Sequence, residues 1–180
     1  MKPTIGSNFP MRLFLLFFLV GIFLILMQTT FLHLVPFGPV IPDLTLVLCV
    51  YLGLYHPTVG AALGSFLIGY SVDIVSSPSR IVGLNAFALS LVFLLVYFGS
   101  RAIWLQNPLV SSLVVLLAAL VKGAALVLIS AVLVSTEGFW IGAAWYIIRE
   151  ALLAAVLAPM VFALLRRGEN FVERFRSVAP

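Results

Sequence analysis

The chain has 180 residues, of which 63% are hydrophobic and only 9% charged, and it carries a formal net charge of +4. Mean hydropathy is +1.24. A soluble domain is about half apolar and about a quarter charged, so this composition reads as an integral membrane protein. No stretch outside the apolar runs is long enough to bury a core, which excludes a separate soluble catalytic domain. One cysteine, Cys49, excludes an intrachain disulfide.

A helix needs roughly 20 apolar residues to cross a bilayer. The expected architecture is an all-α bundle of six transmembrane helices in one domain covering residues 1–180. The first span runs over about 12–32, after Arg12, and QTTFLHL follows it where a cleavable signal would carry small residues. A turn with Pro36, Pro39 and Pro42 leads to a second span over about 42–55. That apolar run covers only ~20 Å as a helix, so a short, partly shielded element in a tight hairpin is expected. The third span covers about 58–76, the fourth about 82–103, the fifth about 109–134 and the sixth about 140–165. Pro57, Pro78, Pro108 and the turn Ser135 to Gly138 supply the breaks.

Lys2 and Arg12 precede the first span, and Arg166, Arg167, Arg174 and Arg176 follow the last. The bias of Lys and Arg toward the cytoplasmic side then places both termini there, with Arg101 inside and Arg80 outside. The basic tail 166–180 has Phe171, Val172 and Phe175 at helical spacing. It reads as an interfacial helix or as a docking peptide for a cytoplasmic partner.

Ionisable residues within spans are functional candidates. Lys122 sits about 20 Å into the fifth span, and Arg149 and Glu150 lie at a similar depth in the sixth. A Lys122–Glu150 pair is expected, with Arg149 turned away. Three roles are open to it: a structural pair fixing helix register, a polar cavity for a ligand or proton, or a docking site for a partner helix. Gln28, Asp43, Asp73, Arg80, Asn85, Lys122, Arg149 and Glu150 all fall in the outer half or at the midplane, which suggests a polar network or pocket opening outward. Gly60, Gly64 and Gly69 form a small-residue surface on the third span for helix packing, and the same surface fits a homodimer face. The sequence has no P-loop, no H-E-x-x-H and no serine with a plausible histidine base. His33 and His56 fall on opposite sides of the membrane. No catalytic, metal or cofactor site is expected, nor any nucleic-acid partner.

Gln28, then Pro42-Asp43-Leu44, then Gly60, Gly64 and Gly69, then Asp73, then Gly83-Leu84-Asn85-Ala86 make an order and spacing that resembles the MreD family of rod shape-determining membrane proteins. Lys122, Arg149 and Glu150 lie outside that pattern. The resemblance implies a non-catalytic subunit of the bacterial inner membrane that binds MreC. Through MreC it would meet MreB, the glycosyltransferase RodA and the elongation transpeptidase. It also implies a fold similar to the substrate-binding component of energy-coupling-factor transporters. A vitamin-like binding component is therefore the alternative function. Such components carry an alanine-rich stripe in span one, whereas here Gly21 is the only small residue before Gln28.

Overall fold

The computed structural model describes residues 11–34, 42–76, 83–100, 108–134 and 140–178. It is helical in every described segment. The elements are α1 (Met11–Leu34), α2 (Leu44–Tyr55), α3 (Val59–Ser76), α4 (Leu84–Ser100), α5 (Pro108–Val134) and α6 (Trp140–Val178). Their order matches the six apolar runs of the sequence, with one difference. α6 is a single helix of 39 residues that carries through Pro159 and absorbs the basic tail.

The arrangement turns on α2. It has only 12 residues, yet it touches all five other helices. Every residue from Thr45 to Leu54 is buried. The sequence predicts partial shielding, and the structure shows complete enclosure. The remaining helices pack in the order α1, α3, α4, α5, α6. The two ends of that series meet across Tyr51 of α2, whose ring lies 6.1 Å from Phe17 of α1 and 5.2 Å from Phe162 of α6.

An all-round apolar helix such as LTLVLCVYLGLY has no polar stripe to turn toward water, so it belongs in a centre. The outer helices have the opposite problem. They expose Leu15, Leu19 and Phe23 on α1, Val59 and Ile74 on α3, Leu128 and Val132 on α5, and Val156 and Met160 on α6. Apolar surface of that extent marks a face that meets lipid or protein. Two helical stretches, Val110–Ile129 and Ala144–Asn170, are long and apolar enough to cross a membrane. The apolar stretches of the other four are shorter.

Glycines set the closest approaches. A side chain on Gly69 would lie 2.6 Å from the Ala86 Cα and 2.7 Å from the Asn85 carbonyl oxygen, so α3 and α4 meet backbone to backbone there. Gly64 faces the Phe14 ring of α1 at 3.5 Å. Gly60 is half-buried. The small surface on α3 thus serves the bundle on two sides. Gly21 admits Ile68 and Leu48 to α1.

Gly69→Leu should destabilise the bundle by about 3 kcal/mol or more, because backbone cannot move aside for the new side chain. Gly99→Ala, where a Cβ meets nothing within 4 Å, should be neutral or stabilise by up to about 1 kcal/mol through helix propensity. Thermal unfolding of both variants in one detergent checks the contrast.

Candidate functional site

A short helix at the centre of an apolar bundle leaves its unpaired end groups inside the protein. Among the described residues, polar side chains of α2 and of its neighbours gather at both ends of that helix.

At the N-terminal end, Asp43 is the cap. One carboxylate oxygen accepts from the Leu46 N–H at 3.0 Å and from the Thr45 hydroxyl at 2.6 Å. The other accepts from the Lys122 ammonium of α5. Asp43 and Lys122 are 7% and 8% exposed, so this is a buried ion pair. The positive end of the α2 dipole also faces this carboxylate. One residue earlier, the Gln28 amide of α1 donates to the Pro42 carbonyl at 2.7 Å. The entry to α2 is thereby tied to α1 and α5 together.

The expected Lys122–Glu150 pair is therefore corrected: the lysine bonds Asp43. Depth counting placed Asp43 at the surface because span two was drawn from the membrane boundary. A helix about 18 Å long cannot reach both faces of an apolar layer of about 30 Å, so its cap sits within the bundle. Glu150 lines the same small cavity, of about 20 Å3, together with Asp43, Lys122, Gly123 and Ile147. Arg149 turns away as expected and lies over the Trp145 ring, 4.8 Å from its centre.

Asp73 and Asn85 form a separate unit. Asp73 of α3 accepts from the backbone N–H groups of Gly83, Asn85 and Ala86 and from the Asn85 side-chain amide, at 3.0 to 3.1 Å. This carboxylate caps α4 from the neighbouring helix, and its 3% exposure makes it a core group rather than a solvated helix end. Gly83 enters α4 at φ 109°, a conformation that suits glycine. Of the outward polar set of the sequence, Gln28, Asp43 and Lys122 thus form one unit with Glu150 on its cavity, Asp73 and Asn85 form a second, and Arg149 lies on Trp145. Arg80 lies outside the described residues.

The opposite end of α2 holds a cluster that sequence reasoning missed. Glu169 of α6 accepts from the Tyr51 hydroxyl at 2.8 Å and pairs with the His56 Nε2 at 2.5 Å. Arg166, one turn before it, lies over the Tyr55 ring at 4.7 Å. His56 also closes α2 through its backbone N–H to the Leu52 carbonyl at 2.9 Å. The signal was present: the depth bookkeeping used for Lys122 puts His56, after span two, and Glu169, after span six, on the same side of the membrane. The α6 extension thus begins docked against α2.

Among the described residues no group of three or more His, Cys, Asp or Glu gathers that could hold a metal. Among the described residues no buried side-chain nitrogen or oxygen lacks a hydrogen-bond partner. The Cys49 thiol, in the middle of α2, donates to the Leu89 carbonyl at 3.2 Å.

An all-helical, strongly apolar bundle organised round one enclosed helix is the class of protein that these residues define. The family model for the rod shape-determining protein MreD matches residues 6–168, nearly the whole chain, and the chain belongs to that family. No curated protein and no solved structure matches it.

Two measurements test these closures. Lys122→Met should destabilise the protein by about 3–5 kcal/mol, because it strands Asp43 in the core. Adding Asp43→Asn, which keeps the cap and removes the charge, should restore most of that loss in thermal unfolding. Glu150→Gln should leave stability close to wild type; a loss as large as that of Lys122→Met would show that Glu150 is the true counter-charge. At the other end, Glu169→Ala should release the α6 extension, seen as faster proteolysis after Arg166 and Arg167, while Tyr51→Phe should cost about 1 kcal/mol.

Proposed function

We propose that this chain is a non-catalytic, multi-pass scaffold subunit of the bacterial inner membrane that binds MreC and supports peptidoglycan synthesis in the cell-elongation complex. Six spans, with both termini in the cytoplasm, are part of this reading. Family membership is the observation that carries it. The physical features agree. The outer helices expose apolar side chains on α1, α3, α5 and α6, as helices do that meet lipid or the helices of partners. The basic residues Arg166, Arg167, Arg174 and Arg176 follow the last apolar run, as in cytoplasmic tails. The buried carboxylates Asp43 and Asp73 are committed to helix caps, the work of a rigid scaffold.

The alternative is a component that binds a vitamin-like small molecule. Ligand pockets of that kind measure about 300 Å3 or more. Among the described residues, the polar cavity beside Lys122 is about 20 Å3, and the groove between α4 and α5 is about 180 Å3 and lined almost wholly by apolar side chains. Neither of these two suits such a ligand.

Depleting the protein in its own cell should turn rods into spheres, and re-expression should restore them. MreC should co-purify with it in mild detergent. Rod shape unchanged on depletion, or recovery of a transporter ATPase in place of MreC, would sink the proposal. Reporter fusions at both termini should read cytoplasmic.

A further inference from the structure

The small cavity between the head of α2, α5 and α6 stands apart from the apolar core around it. Asp43, Lys122 and Glu150 line it, and both carboxylates act on the Lys122 charge. Their roles differ. Lys122 bonds Asp43 directly, whereas Glu150 stands in the cavity wall. An ammonium has three N–H donors, and Asp43 takes one of them. The Glu150 carboxyl adds acceptors to the same wall. Polar groups in an apolar surrounding are costly until each has a hydrogen bond. The rest of the wall makes the space and closes it. Ala151 and Ala154 are small and fully buried. At Gly123 the Ile147 side chain comes too near for any Cβ, so α5 and α6 are in tight contact beside the cavity. About 20 Å3 remains. A cavity takes a water molecule from about 10–15 Å3 upward where a few polar groups surround it, whereas dry cavities are lined by apolar groups. The space is far too small for an organic ligand. A metal cation is disfavoured, because the ammonium already supplies positive charge at that point.

We infer that this cavity is a binding site for one structural water molecule, which accepts from the Lys122 ammonium and donates to the carboxylates of Glu150 and Asp43. The bridge brings Glu150 into the junction at the head of α2. Gln28 ties that point to α1 and Lys122 ties it to α5; the water ties it to α6. Glu150 is then a positioning residue: its hydrogen bond through the water sets α6 against α2 at that depth. The inference is independent of the scaffold reading.

The chain has two lysines, Lys2 and Lys122. Lys2→Arg leaves a single lysine ammonium, which solid-state NMR of the protein with isotope-labelled lysine, in phospholipid bilayers, reads alone. With Glu150 intact, magnetisation should pass from water protons to the Lys122 nitrogen. The transfer should persist in Glu150→Gln, whose amide also bonds water, and be lost in Glu150→Leu. No transfer with Glu150 intact would show a dry cavity and overturn the site. Transfer undiminished in Glu150→Leu would show a water that Glu150 does not hold, and would overturn the bridge. The measurement with Glu150 intact decides the question even where Glu150→Leu fails to fold.

Discussion

The constraint on which the bundle depends is the length of α2. Twelve residues make a helix of about 18 Å, and all of its side chains from Thr45 to Leu54 are buried. Such a helix cannot place its terminal amides and carbonyls in water or headgroups at both ends. Each end must be satisfied by the protein, and unsatisfied backbone in an apolar medium costs several kcal/mol per group. At one end Asp43 caps the Leu46 N–H, with Lys122 bonded to Asp43 and Gln28 to the Pro42 carbonyl; at the other the His56 backbone N–H closes on the Leu52 carbonyl, with Tyr51 and the His56 ring bonded to Glu169. The same side chains bind α2 to α1, α5 and α6, so closing the helix and assembling the bundle are one event.

The buried charges follow from this. A Lys–Asp pair in an apolar core is weak evidence for stability by itself, because desolvation offsets most of the attraction. Here the carboxylate has a second task. It caps a helix whose N-terminus already favours an anion, and the ammonium neutralises what the cap brings in. Asp73 repeats the device between α3 and α4, where Gly69 lets the helices approach closely enough for one carboxylate to reach three backbone N–H groups. Residues that resemble a polar pocket in the sequence are thus spent on joining helices. Glu150 lines the cavity beside the Lys122–Asp43 pair.

The residue pattern that carries the resemblance coincides with the geometry where the structure is most constrained. Gln28, Pro42, Asp43, Gly69, Asp73, Gly83 and Asn85 are all capping or close-approach residues. Lys122 stands outside that pattern, yet it holds the central cap. The opposite closure, through Glu169, lies at the start of the basic tail, at the edge of the matched region. The Tyr51–Glu169 bond ties the start of that tail to α2.

The helical class, the six elements and their order were legible in the amino-acid sequence, because apolar runs and proline breaks are local properties of the chain. The small-residue face of α3 was legible for the same reason: glycine spacing alone shows that something comes close. Which groups meet was not. Counting 1.5 Å per residue from assumed surfaces placed Lys122 beside Glu150 and left Asp43 at the boundary, because the count takes every helix to start at the same level. α2 does not, and its depth is set by the five helices that enclose it. Tertiary packing alone lowers Asp43 to Lys122, sets Glu150 on the same cavity, and brings Glu169 back to His56.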